Sequence, residues 1–489
     1  MRKYIALLFF ILLFPSASSG NWQTLGGNLQ HSGYSESPPI PLNLIWKYKI
    51  GSSDISAPVI DSGILFVGSD DNNLYAIDAV SGKLKWMYST LGKVYSPTAN
   101  NGKVFVSSFD NYIYALDFSG NLVWKYDTGS STSTQPVAYN NILYGGFDRN
   151  IYSIYIINGS LKWKYPTGGR IDSTPAISEG DIYAGSNDDY IYALDASNEN
   201  LKWRYKTGGG VSSSPSVVNG VVYIGSKDNN VYALDSSTGN LTWNKKTNDW
   251  VMSSAAVLEN SVYIGSNDYN IYALSSDNGD IIWKFETSGR VDSPPIATND
   301  VVYAGSQDGT VYALDPANGT LIDKYATGGG IISLALSDDM LFATSEDGYV
   351  YAFGTPIPST TVTEVPSNTP PPVTTVPVIK VNPIPSNVSS ENLTISGTAE
   401  DPSGILIVTV NGVAAGTTQW NATINLSKGT NTITIVAVNV EGNIKTEQRE
   451  VTFIPSAQET TPVKSLGFDA VLGIIGCILA VCALKPKHS

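Results

Sequence analysis

The chain has 489 residues, a net charge of −14 and only 15% charged residues. Soluble domains ordinarily carry about 25% charged residues, so this surface is solvated mainly by Asn, Ser, Thr and Tyr. Phosphate contacts need a basic stripe, and an acidic chain poor in Lys and Arg excludes nucleic acid as a partner.

The chain opens on Met1-Arg2-Lys3, continues as an apolar run from Tyr4 to Phe14, and reaches small residues up to Gly20. That order describes a secretory signal peptide over 1–20. A lead-in follows over 21–43. At the far end a second apolar run covers 467–484, with Lys485-Pro486-Lys487 behind it. Its length approaches the ~20 residues that span a bilayer, and the lysines place the tail 485–489 in the cytoplasm. The protein is therefore expected to be exported and held at the cell surface by a C-terminal transmembrane helix. Both cysteines, Cys477 and Cys482, lie in that run, so the exported part carries no disulfide.

Between the ends, Trp46, Trp86, Trp124, Trp163, Trp203, Trp243 and Trp283 recur every 38 to 40 residues, and Asp323 takes the next slot. A second track runs out of phase, as in Leu74-Tyr-Ala-Ile-Asp78 and Val231-Tyr-Ala-Leu-Asp235. Eight such units of about 40 residues indicate a propeller or a solenoid. Within the unit from Ser212 to Lys246, Gly, Asn, Asp and Ser turns separate four short β runs, which is one propeller blade. The runs are apolar on both faces, as a blade packed between two neighbours requires. The last unit ends after three strands at Phe353, and the first begins with an orphan strand, Leu44–Tyr48. The orphan is expected to complete the last blade, because closing the ring removes an open edge.

The run Tyr75-Ala-Ile-Asp-Ala-Val-Ser-Gly-Lys-Leu-Lys-Trp86 resembles the tryptophan-docking repeat of pyrroloquinoline quinone (PQQ) enzymes and of BamB-like eight-bladed propellers. The resemblance covers 44–354. Trp22 through Gln30-His-Ser-Gly-Tyr34 looks like the lead-in of exported archaeal and bacterial members. The PQQ dehydrogenases imply a vicinal cysteine pair beside the cofactor, a catalytic Asp and calcium ligands. Residues 21–476 contain no cysteine.

A Pro/Thr-rich linker follows over 355–378. Five β runs within 379–455 (393–397, 405–410, 420–426, 432–438 and 449–453) read as a small sandwich that resembles bacterial Ig-like surface modules. A spacer over 456–466 leads to Ser465-Leu-Gly-Phe-Asp-Ala-Val471, which is similar to the PGF-CTERM sorting signals of archaeal surface proteins. Leu466 stands where that family has proline.

Asp71, Asp110, Asp148, Asp188, Asp228, Asp268, Asp308 and Asp347 repeat in every unit. A residue repeated this way is expected to bond the local turn backbone rather than to ligate a metal. The tryptophans are expected between blades. The only histidines, His31 and His488, lie outside the repeats, which excludes a histidine triad or histidine zinc site there. No Gly-rich phosphate loop opens a helix.

Positions where the repeats disagree carry more information. Ser53, Gly92, Ser131, Arg170, Gly210, Trp250, Arg290 and Gly330 align just before each innermost strand. Ile55, Val94, Ser133, Asp172, Ser212, Met252, Asp292 and Ile332 align two places later. These residues are expected to ring one mouth of the axial channel. Arg170, Asp172, Trp250, Arg290 and Asp292 are the candidates for binding, with Arg170, Trp250 and Arg290 the only bulky donors of the register. The sequons at Asn158, Asn240, Asn318, Asn387, Asn392, Asn421 and Asn425 are candidates for N-glycosylation.

The chain thus reads as all-β: an eight-bladed β-propeller plus a small Ig-like β-sandwich and one C-terminal transmembrane helix. The expected function is a cell-surface scaffold for protein or glycan partners of the envelope, without catalytic residues, cofactor or metal. A PQQ-dependent or carboxylate-based enzyme and a purely structural surface-layer component are the alternatives.

Overall fold

The computed structural model describes residues 21–131, 134–337, 339–355, 376–402, 404–411, 413–439 and 444–455. The expected signal peptide, most of the linker, the spacer, the sorting motif and the apolar run 467–484 lie outside them. Among the described residues no helix is long and apolar enough to cross a membrane.

Residues 44–354 form eight four-stranded antiparallel sheets, one per blade. The fifth is representative, with strands Ser216–Val218, Val221–Gly225, Asn230–Asp235 and Leu241–Lys246 from the axis outward. The two middle strands are buried almost throughout, on both faces, because each blade is sandwiched between neighbours. Ring closure follows the expectation. Leu44–Lys49 pairs antiparallel with Tyr349–Gly354 and is the outer strand of a sheet that begins at Ile331–Ser337.

The tryptophans lock successive blades together. The Trp203 indole donates to the Ser236 carbonyl at 2.8 Å, and its ring lies where a Cβ on Gly239 would sit. Gly239 has φ +71°, a conformation that glycine adopts without strain. Blade 4 departs from this pattern. Glu199, at φ +61°, stands where glycine does elsewhere, Tyr144 takes the Ala196 carbonyl, and the buried Trp163 indole N–H has no partner. Asp323 replaces the eighth tryptophan for a topological reason. Blade 8 takes its outer strand from the N-terminus, so it has no turn between third and fourth strands on which a tryptophan could dock. Asp323 instead accepts the Leu42 amide at 3.4 Å.

The lead-in is stitched to the ring. Carbonyls of Trp22, Gln23, Leu29, Gln30, Ser32 and Gly33 accept, in that order, the amides of Ile60, Ala99, Ile177, Val217, Val257 and Ala297 at 2.7–2.9 Å. Those amides belong to the innermost strands of blades 1, 2, 4, 5, 6 and 7. Residues 22–33 therefore run around the inside of the channel and occupy one end of it. His31 is fully buried there, its Nδ1 3.1 Å from the Pro215 carbonyl, and burial pushes its pKa down to about 4.

Residues 378–453 form a separate eight-stranded sheet. The five expected runs are present, joined by Val378–Val381, Asn387–Val388 and Val413–Gly416. The sequence reads as two stacked layers, whereas the strands make one hydrogen-bonded ladder curled over its own core. That core includes Ile395, Val408, Trp420, Ile433 and Ile435. The corner is the Gly416–Trp420 pair, where Gly416 at φ +141° allows a bend that a side chain would resist.

Candidate functional site

The end of the channel opposite the lead-in is built on similar turns in seven of the eight blades, held by the repeated aspartates, while the turn of blade 3 at Asp148 is one residue shorter. Asp228 shows how. Its Oδ1 accepts the Asn230 amide at 2.9 Å, and its Oδ2 accepts the Tyr232 hydroxyl and the Gly208 amide, both at 2.6 Å. Burial pushes its pKa up, but these bonds outweigh burial and hold the carboxylate below its ordinary range. The same Asp–Tyr bond recurs in every blade except the third, where Tyr152 turns to the Thr128 carbonyl. The carboxylates of the other seven blades are turn staples, as the repetition implied.

The five candidates lie on this scaffold in blades 4, 6 and 7. Arg170 Nε stands 2.6 Å from Asp172 Oδ1, at ion-pair distance though without an aligned hydrogen bond. The pair raises the arginine's pKa. Asp172 Oδ2 accepts from Asn187 at 2.6 Å, and the Asn187 carbonyl oxygen accepts from Ser212 and Lys227 at 3.1 and 3.0 Å. Lys227 Nζ lies 5.9 Å from the Trp250 ring centroid, and Trp250 is 47% exposed. A continuous chain of contacts thus joins Arg170 to Trp250 across three blades. Arg290 and Asp292 are 3.8 Å apart, a looser pair. Burial raises the Asp292 pKa, Arg290 opposes the rise and Glu346 adds to it. Gln307, with its amide turned to donate, reaches both Glu346 oxygens at 3.1 and 3.3 Å.

Four of the aligned positions require correction. The residue before the repeated Asp donates its amide to the carbonyl of the variable slot. That bond joins Asn187 to Arg170, Lys227 to Gly210, Asn267 to Trp250 and Gln307 to Arg290, and in blades 1 and 2 it joins Asp70 to Asp54 and Phe109 to Lys93. The slot therefore holds Asp54 and Lys93, not Ser53 and Gly92. From slot to proline, blades 1 and 2 are one residue shorter, as Lys93 to Pro97 against Arg170 to Pro175 shows, and alignment on the proline shifts the frame. Ile55 and Val94 are likewise buried residues that directly follow the slot. Lys93 is accordingly a further bulky donor in the register, ion-paired with Asp70 and, at 3.6 Å, with Asp54. Two places on, the Tyr95 ring packs tilted against Phe109, with centroids 5.3 Å apart. Burial and Asp54 push its pKa up to about 12, against the pull of Arg170.

Sequence reasoning also missed a second ring: Asp70, Phe109, Asn187, Lys227, Asn267, Gln307 and Glu346. Each directly precedes a repeated Asp and varies from blade to blade, a signal as legible as the first. With both rings in place, Lys93, Arg170, Lys227 and Arg290 share the mouth with Asp54, Asp70, Asp172, Asp292 and Glu346. Three of the four cations carry a carboxylate partner, so the mouth is not an anion trap.

The family model described as outer membrane protein assembly factor BamB matches residues 43–207 and 187–355, well over half of the chain. The chain belongs to this family. Among solved structures it is similar to BamB from Moraxella catarrhalis, at 18% identity and TM-score 0.58 over 64% of this chain and 100% of that one. The quinohemoprotein alcohol dehydrogenase of Comamonas testosteroni is similar at 15% identity and TM-score 0.60, over 68% of this chain and 80% of the other. The computationally designed Ika8 protein is similar at 16% identity and TM-score 0.58, over 65% of this chain and all of its own. At these identities the structures report the fold alone. No curated protein matches.

The donor set does not fit a dehydrogenase's quinone and its calcium. The vicinal cysteine pair is missing from 21–476, and three of the four cations near the axis are already paired. Among the described residues no group of three or more His, Cys, Asp or Glu is placed to hold a metal ion.

Proposed function

We propose that the BamB-like propeller is a binding or assembly scaffold of the cell envelope, and that its open mouth takes a protein segment or glycan. The observation that carries this reading is the contrast between a repeating frame and the non-repeating side chains it presents. Trp250 offers an exposed face to a sugar ring or an aliphatic stem, with Lys227 beside it. Arg170, Asp172, Arg290 and Asp292 offer donors and acceptors in pairs, which suits a polar partner carrying both. Arg and Trp are also the residue types most often found as hot spots.

On the same reading the curled sheet is an Ig-like spacer, the run 467–484 anchors or sorts the protein at the surface, and the sequons carry glycans. All seven sequon asparagines are exposed. The test replaces Arg170, Trp250 and Arg290 together by glycine, which Gly210 and Gly330 already place in this slot. Saturable retention of an envelope component should fall at least tenfold if one of the three is a hot spot, with melting preserved. Full retention by the folded variant would move the site elsewhere. A stoichiometric bound-quinone spectrum after addition of PQQ and calcium would favour the enzyme instead.

A further inference from the structure

The eight blades act as controls for one another, and blade 1 is the exception on its outer face. Leu84 is 4% exposed, whereas its counterparts Leu44, Leu122, Leu161, Leu201, Leu241, Ile281 and Leu321 are 37–44% exposed. The register makes them equivalent, since each pairs with the same position of the third strand. Met87, 8% exposed, pairs with Tyr75. In the other blades the matching residues are Lys47, Lys125, Lys164, Arg204, Asn244, Lys284 and Lys324, all exposed. Blade 1 thus differs in both residue type and burial. A thioether has replaced a charged or amide head, and something covers it.

The curled sheet supplies the cover. In Gly429–Asn439, Ile433, Ile435 and Ala437 point into that sheet's own core, so Val436 points outward. It is nevertheless 9% exposed and belongs to the same apolar cluster as Leu84 and Met87. Thr409, its cross-strand neighbour, lies between the core residues Val408 and Val410, faces outward as well, and is 5% exposed.

We propose that the outer face of blade 1 is a docking surface for the chain's own C-terminal sheet, seated through Val436 and Thr409 against Leu84 and Met87. The sheet is then clamped to one blade of the ring instead of trailing on its linker, and the mouth is presented at a fixed angle to the C-terminal end. The proposal is independent of what the mouth binds.

Methionine oxidation by hydrogen peroxide follows exposure, and Met252, half-buried at the mouth, is an internal reference. In the full chain Met87 should oxidise several-fold more slowly than Met252. Val436→Lys should bring Met87 close to the Met252 rate and leave Met252 unchanged. As a reciprocal variant, Met87→Lys copies the sister blades and leaves the curled sheet untouched. It should speed hydrogen exchange across 405–410 and 432–437 while tryptophan-monitored melting of the propeller holds. Met87 oxidising as fast as Met252 in the parent overturns the docking. So does a rate unmoved by Val436→Lys, or exchange unmoved by Met87→Lys.

Discussion

At one end of the channel, six innermost strands give their amides to the carbonyls of residues 22–33, so the bonds that repeat along the seam are backbone to backbone. At the other end, the turns are fixed by repeated aspartates, and the side chains presented beside them change from blade to blade. The difference separates stability from recognition. Amide–carbonyl bonds are blind to side-chain identity, so the lead-in can tie unlike blades into one ring. Side chains free of that duty at the mouth can vary without loss of the fold.

Two deletions break the comparison most severely. Removing 21–49 takes away both the seam and the outer strand of blade 8, leaving the edge of Tyr349–Gly354 open to pair with another chain. Aggregation, or melting far below the parent, is expected by size exclusion and calorimetry. Removing only 21–34 spares closure, so the shorter deletion should remain monomeric while melting below the parent. If both deletions behave alike, the closing strand is not what seals the ring.

A smaller effect isolates the seam by pH. The pKa of His31 is about 4 in the fold and 6.5 in the unfolded chain, so the unfolded state binds more protons between these values. The stability that rests on neutral His31 is present above pH 6.5 and is lost as pH falls towards 4, by about 3 kcal/mol in all. His31→Asn, which tolerates the positive φ of 52° at this position, should flatten that part of the pH–stability curve. Parallel curves for parent and variant would mean that His31 is already protonated in the fold.

The smallest effect belongs to the mouth. Arg170 and Arg290 are more than half exposed in their side chains, and exposed ion pairs contribute about 0–1 kcal/mol. The triple glycine variant should therefore unfold in urea close to the parent midpoint. A large drop would show that the mouth is part of the frame, and the division between the two ends would fail.

Much of this was legible in the residues. The tryptophan period and its turns dictate blades, because β runs buried on both faces need a neighbour on each side. The missing fourth strand at Phe353 and the surplus one at Leu44 dictate closure. Recurrence in every unit marks the aspartates as structural, and Arg170, Trp250 and Arg290 stand out against Gly210 and Gly330. Asp54 and Lys93 were not legible as members of the slot, because only a backbone bond defines it and blades 1 and 2 are one residue shorter between slot and proline.

What the sequence by itself determined is the local, repeated part: strand length, turn chemistry, the docking tryptophans and the order of blades. These rest on interactions between residues near in sequence or one period apart. Only the tertiary structure decided the path of residues 22–33 through the channel, since a chain of carbonyls leaves no residue pattern. It alone joined Arg170, Asn187, Lys227 and Trp250 into one contact chain, because packing blades side by side brings together side chains that the sequence keeps 17 to 80 residues apart. It also decided why blade 1 carries Met87 in place of lysine, because the covering residue, Val436, belongs to a different sheet.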